Sequence, residues 1–73
     1  MNMDREIWEG WTPRDFIAFL EPLADMTAAG HGIVRPWKNR QELAAWCASN
    51  QPGYKEVIPE VVEHFAAKYG YRR

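Results

Sequence analysis

Cys47 is the only cysteine in a chain of 73 residues, and this limits how the chain can be stabilised. A lone thiol forms no disulfide within the chain, and a domain of this size buries only about 60% of its unfolded surface. One Cys and two His, without paired spacing, do not make a closed zinc site. Large side chains must therefore build the core, and the chain has four Trp, three Tyr and three Phe to do so.

Length and hydropathy limit the domain organisation and the compartment. The chain is too short for two domains, so we expect a single domain over 1–73. No run of about 18 apolar residues is present, which argues against a membrane span. The first ten residues are charged and contain no apolar run, unlike a secretory signal. Together with the lone thiol, this predicts a cytoplasmic protein.

The net charge of −1 hides an uneven distribution. Residues 1–30 contain six acidic residues and only two arginines, whereas the rest of the chain is slightly basic. The acidic half is too weakly charged to indicate a DNA mimic. The basic part is too small to indicate a strong nucleic-acid footprint.

The first of three predicted helices has a complete start signal. Thr12 suits the N-cap, Pro13 the first helical position, and Asp15 the first turn. Apolar residues then recur at helical spacing, which predicts a helix over about 13–29. Pro22 lies inside it, and because proline removes a backbone donor we expect a kink or a break there.

The other two helices have equally recognisable starts. Asn39 with Glu42 three residues later resembles a capping box and predicts a helix over 40–49. Pro59 suits a first helical position, and the apolar rhythm that follows it predicts a helix over 59–69. A short strand over 33–34 is conceivable, and only 7–8 could pair with it.

These elements predict an all-α, compact three-helix domain with an ordered aromatic N-terminal arm that carries Ile7, Trp8 and Trp11. The inward stripes of the helices predict the centre of the core: Phe16, Leu20, Leu43, Trp46, Val62 and Phe65. Leu23 is expected on the same inward face as Phe16 and Leu20. The outer face of the third helix is predicted to carry the polar residues Glu60, Glu63, His64 and Lys68.

Enzyme chemistry has little support in the sequence. Cys47 and His64 can be considered as a catalytic pair, but Cys47 follows Leu43 and Trp46 on an apolar stripe and His64 lies on a polar face. No phosphate loop, dinucleotide fingerprint or metal motif occurs. We therefore predict a protein that is not an enzyme, with no cofactor, metal or small-molecule substrate.

The candidate binding residues cluster in the segment between the first two helices. Arg35, Trp37, Lys38 and Arg40 place an aromatic residue among three cations, and Trp and Arg are enriched at protein interface hot spots. Further candidates are the arm residues Trp8 and Trp11.

Two other interpretations of the same residues stay open. The basic and aromatic segment 35–40 would also suit a nucleic acid, by stacking a base and holding phosphates. Alternatively, all four Trp serve only core and edge packing. A helix-turn-helix is disfavoured, because the connection between the last two helices is longer than that motif's turn and Glu60 and Glu63 stand near the start of the third helix.

Several short segments resemble a family of short helical proteins encoded by phages and prophages, to which no activity is attached. They are 8–12 (Trp-Glu-Gly-Trp-Thr), 15–17 (Asp-Phe-Ile), 46–47 (Trp-Cys) with 50–52 (Asn-Gln-Pro), and 58–61 (Ile-Pro-Glu-Val) with Tyr69. The resemblance implies a protein that binds and modulates or inhibits a bacterial protein or ribonucleoprotein complex, as anti-CRISPR proteins and inhibitors of host RNA polymerase do. It also implies the cytoplasm of a bacterial host as the place of action.

Overall fold

A computed structural model of the chain describes residues 2–31 and 36–71, without the side chain of residue 31. Three helices make up the fold: α1 (Pro13–His31), α2 (Arg40–Asn50) and α3 (Pro59–Tyr69). In these ranges no strand is present, so the predicted all-α three-helix fold is confirmed. The possible strand over 33–34 and the candidate residue Arg35 lie outside the described residues. No helix in the described part of the chain is long and apolar enough to cross a bilayer.

The N-terminus of α1 has a reciprocal capping arrangement. The Thr12 backbone N–H and hydroxyl both donate to Asp15 Oδ2 at 2.9 Å, and the Asp15 N–H donates to Thr12 Oγ1 at 3.3 Å. Two donors that the helix itself leaves unpaired are satisfied in this way. The hydrogen bonds from Thr12 lower the pKa of Asp15.

The starts of α2 and α3 also follow the residues that predict them. The Asn39 side chain accepts a hydrogen bond from the Glu42 N–H at 2.9 Å. α3 has no side-chain cap; Pro59 at its first position has no N–H to satisfy, and the Val61 N–H donates to the Ile58 carbonyl at 3.0 Å instead. At its other end α3 stops at Gly70, whose N–H donates to the Ala66 carbonyl.

Pro22 does not break α1, which continues as one helix to residue 31. The helix is therefore not broken at Pro22, and a kink within the continuous helix stays a prediction. Proline leaves the carbonyl four residues earlier, that of Ala18, without its helical donor. Both residues are exposed, so water can satisfy that carbonyl and the helix persists.

α3 lies at the centre of the fold and packs against both α1 and α2. Four of the six predicted core residues have no exposed surface, and Val62 is 4% exposed. Trp46 is only partly buried and packs at the edge of the core, which corrects its predicted central position. The four predicted core residues with no exposed surface are Phe16, Leu20, Leu43 and Phe65.

The N-terminal arm is held by a tight turn. Trp8 and Trp11 form an isolated antiparallel bridge around Glu9 and Gly10, whose φ angles of 45° and 82° are both positive. This pair of angles is typical of a type I′ turn, in which glycine is favoured. The Trp11 N–H donates to the Trp8 carbonyl at 2.8 Å, and the Ile7 N–H donates to the Trp11 carbonyl at 2.7 Å. The arm is therefore ordered, as the sequence predicts.

Candidate protein-binding surface

Trp37 is a core residue and not the exposed aromatic that the sequence predicts. Only 7% of it is exposed, and its ring lies 5.1 Å from that of Trp46 and 5.4 Å from that of Tyr69, centroid to centroid. Its backbone N–H donates to the Tyr71 hydroxyl at 2.8 Å, and this hydroxyl donates in turn to the Trp37 carbonyl. Burial on several sides leaves little of the indole on the surface.

The two described cations of the predicted basic and aromatic segment, Lys38 and Arg40, have different environments. The Arg40 guanidinium donates to a carboxylate oxygen of Glu63 on α3, and its side chain is 23% exposed. Lys38 is exposed. Arg35 lies outside the described residues. Among the four residues predicted between positions 35 and 40, the described part of the chain thus offers one exposed cation.

Trp8 and Trp11 are partly buried and pair with each other across the arm's turn. Trp8 covers Gly53 so closely that a Cβ atom there would lie 2.2 Å from the indole. Trp11 packs against α1, with its ring 5.0 Å from Phe16 and 6.3 Å from Phe19. Trp8 therefore fixes the arm to the α2–α3 connection, while Trp11 extends the surface of α1.

The outer face of α1 is almost without charge. Phe19 is 43% exposed, Leu23 37% and Met26 70%, and their spacing puts them on one face of the helix. Leu23 thus points outward, against the sequence prediction. Of the eight exposed residues between positions 18 and 30, only Asp25 is charged. The eight are Ala18, Phe19, Pro22, Leu23, Asp25, Met26, Ala29 and Gly30. We call Phe19, Leu23 and Met26 the α1 apolar face.

An open cavity of about 500 Å³ adjoins this face. The Trp8–Trp11 turn forms one wall and the first turns of α1 form the other. Two aromatic rings and two carboxylate side chains share it: its lining residues are Glu9, Gly10, Trp11, Asp15, Ala18 and Phe19. A contiguous exposed apolar surface on a small protein is typical of a protein-interaction site, and the cavity adds a recess that can receive a side chain.

The opposite side of α1 is occupied by a network of polar contacts with α3. Lys68 Nζ donates to Glu21 Oε2 at 2.6 Å and to Asp25 Oδ1 at 2.9 Å, and the Tyr69 hydroxyl donates to the same Asp25 oxygen at 2.6 Å. These contacts lower the pKa of both carboxylates and raise that of Lys68. Burial and the bond to Asp25 raise the pKa of Tyr69 to about 12. The network fixes which face of α1 remains exposed.

Glu60 lies on the buried side of α3, which corrects its predicted place on the outer face. It is 6% exposed, and the Arg5 Nε and Nη2 atoms donate to its two carboxylate oxygens at 2.6 and 2.9 Å. The Arg5 guanidinium lowers the pKa of Glu60 to about 2. Sequence spacing cannot reveal this contact, because 55 residues separate the two side chains.

The two candidate catalytic residues, Cys47 and His64, have separate surroundings. Cys47 is a buried free cysteine, and burial raises the pKa of its thiol to about 12. The His64 ring packs edge-on against Phe65, with Nε2 3.5 Å from Glu21 Oε2. Within the described residues, no group of three or more His, Cys, Asp or Glu is arranged to hold a metal ion.

Comparisons with protein-family models, with curated proteins and with solved structures find no match for this chain.

Proposed function

We propose that the protein is a small non-catalytic module that binds another protein through the α1 apolar face. The observation that supports this most is that the side chains of Phe19, Leu23 and Met26 stand exposed on one helix face. A helix that is apolar on both its inner and outer faces is typical of one that is covered on both sides. Trp11, one of the aromatic residues that the sequence predicts at the binding site, lines the adjoining cavity and so belongs to the proposed site.

A protein partner agrees better with this face than a nucleic acid does. Nucleic-acid binding needs a group of free cations beside the contact surface, and the exposed residues of α1 between positions 18 and 30 include no Lys or Arg. The segment proposed for nucleic acid also has its aromatic residue, Trp37, in the core. The nucleic-acid alternative is kept as an outcome of the experiment below.

The resemblance to phage and prophage proteins supports a finer proposal. In that proposal the partner is a bacterial protein or ribonucleoprotein complex, such as a defence or transcription complex, which the protein modulates or inhibits in the host cytoplasm. A small domain without catalytic groups would act in this way by covering a functional surface of its target.

The test compares capture from bacterial lysate, with and without nuclease treatment, by three forms of the protein. They are the wild type, a Phe19→Ser/Met26→Ser variant, and the control Val57→Ser. Val57 is a matched control, because it is 53% exposed and apolar but precedes α3, away from the α1 apolar face. Circular dichroism must first show equal helix content in all three.

The proposal expects a protein that is captured by the wild type and by the control but not by the double variant. Calorimetry with that purified protein should then show a loss of at least about 2 kcal/mol of binding energy, as for hot-spot residues. Equal capture by all three forms would contradict the proposal. Capture that disappears on nuclease treatment would favour the nucleic-acid alternative.

A further inference from the structure

We propose that the cavity beside Trp11 binds a cationic side chain, an Arg or a Lys, of the protein partner. This inference rests on the proposed function, since it names the group that the partner inserts next to the α1 apolar face. It depends on the way in which the arm and α1 bring aromatic rings and carboxylates to one recess.

The walls of the cavity suit the stem of a long side chain. Trp11 and Phe19 meet edge to face, with ring centroids 6.3 Å apart, and Ala18 also lines the recess. Arg and Lys have apolar methylene stems that pack on such surfaces, and their charged heads are attracted to the face of an indole ring. The guanidinium group of Arg also stacks flat on aromatic rings.

The carboxylates at the cavity supply the opposite charge. Glu9 is exposed and has no hydrogen-bond or ion-pair partner within residues 2–31 and 36–71. Asp15 is kept ionised by its hydrogen bonds from Thr12, which lower its pKa. Arg14, which precedes Asp15 in the sequence, donates to Asp4 at 3.1 Å. The recess therefore carries two negative charges, and a carboxylate or phosphate ligand would be repelled.

The contacts that the cations of this chain already make favour a different protein, and not a second copy of this chain, as the source of the bound cation. The described cations Arg5, Arg14, Arg40 and Lys68 are all engaged in ion pairs within their own chain. Lys55 donates to the Ser49 carbonyl at 3.2 Å. Inserting one of these into another copy would break an existing contact, which favours a partner with an unengaged Arg or Lys. Lys38 is the exception among the described cations, because it is exposed and forms no such contact with the described residues. Self-association of the wild type that Lys38→Ala abolishes would therefore overturn the assignment to a different protein.

The test uses a small probe, so that it does not depend on the identity of the partner. N-acetyl-arginine amide is titrated into the full-length protein, and the indole N–H signal of Trp11 is followed by NMR. N-acetyl-citrulline amide, which has nearly the same shape without the charge, is the matched ligand. Glu9→Gln is the site variant, and Glu56→Gln, an exposed glutamate outside the cavity, is the matched control.

The arginine probe should shift the Trp11 signal at millimolar concentration, and the citrulline probe should shift it much less. Glu9→Gln should raise the Kd of the arginine probe about two- to fivefold, as expected for an exposed charge pair, while Glu56→Gln leaves it unchanged. Equal shifts by the two probes, no shift by either, or an unchanged Kd in Glu9→Gln would each overturn the inference.

The result separates this inference from the proposed function. If the arginine probe fails but capture still depends on Phe19 and Met26, the protein-binding function stands and the cationic anchor is wrong. If the probe binds as expected but all forms capture the same proteins from lysate, the cavity binds cations and the α1 apolar face is not the docking surface.

Discussion

Gly53 shows how one residue without a side chain fixes the position of the N-terminal arm. Its φ of +77° is a backbone conformation that residues with a Cβ rarely adopt, and the Trp8 indole occupies the space where a Cβ would stand. The close approach brings the arm onto the α2–α3 connection. Gln51 in the same connection is fully buried, and its Nε2 donates to the carbonyls of Tyr54 and Glu56 at 2.7 and 2.9 Å.

We therefore expect Gly53→Ala to lower the melting temperature, since the substitution adds backbone strain and displaces Trp8. Gly30→Ala is the control, because Gly30 lies inside α1 with nothing within 4 Å of an added Cβ. That change should be neutral or should stabilise the protein by up to about 1 kcal/mol, since alanine favours a helix more than glycine does. Thermal denaturation followed by circular dichroism measures both, and an unaltered melting temperature in Gly53→Ala would mean that the indole lies elsewhere.

The correction at Trp37 leads to a second prediction at this scale. Trp37→Ala should cost about 3–5 kcal/mol of unfolding free energy, as for other large-to-small changes in a core. Lys38→Ala, next to it and exposed, should change the stability by less than about 0.5 kcal/mol. Urea denaturation measures both variants. A folded Trp37→Ala protein of near wild-type stability would restore Trp37 as a surface residue.

At the scale of elements, the local signals in the sequence predict the helices well and their partners poorly. Capping residues such as Thr12 and Asn39 act within a few positions, so they can be recognised in the sequence. The contacts of Trp37 with Tyr71 and of Arg5 with Glu60 join residues 34 and 55 positions apart, which no spacing rule reveals. For this reason the candidate site in the structure differs from the one that the sequence predicts.

The α1 apolar face had a signal that was available in the sequence. Phe19 and Met26 recur seven residues apart and lie off the inward stripe that includes Phe16 and Leu20. A helix with apolar residues on two faces needs two covering surfaces, and a chain with only two other helices can provide few of them. Leu23 belongs to the outer set, which the inward prediction missed because it lies at the border of the two faces.

The Arg5–Glu60 pair gives a prediction on pH dependence. The pKa of Glu60 is about 2 in the folded protein, against an ordinary value of 4.5. A lowered folded pKa contributes stability above 4.5 that is lost as the pH falls towards 2. The wild type should therefore be more stable than Glu60→Gln at about pH 7, and the difference should shrink at about pH 3.

Urea midpoints at the two pH values measure this effect. Glu56→Gln is the control, since Glu56 is exposed. It should keep the acid sensitivity of the wild type, because the lowered pKa values of Glu21 and Asp25 also reduce stability as the pH falls. A difference between wild type and Glu60→Gln that stays constant with pH would show that Arg5 does not stabilise the ionised carboxylate.

At the scale of the whole molecule, α3 connects all parts of the structure. Its residue Phe65 has no exposed surface, Glu60 holds the arm through Arg5, and Lys68 binds two carboxylates of α1. α2 packs against α3 as well. Because each element is fixed through the same helix, the domain should unfold as one cooperative unit, as is usual for domains of this size.

Cys47 is a natural probe of that cooperativity. Its side chain has no exposed surface, and its thiol, with a pKa of about 12, is protonated near neutral pH. A disulfide reagent should thus react only with molecules that have opened globally, at a rate far below that of free cysteine.

Phe65→Ala should lower the unfolding free energy by about 3–5 kcal/mol, a large share of the stability of a small domain. It should raise the reaction rate of Cys47 by a factor that matches this measured loss of unfolding free energy. Met26→Ser, on the exposed face, should leave the rate unchanged. A wild-type thiol that reacts quickly while helix content and Trp fluorescence stay native would mean that the α2 side of the core opens separately from the rest, and the single-unit description would then be wrong.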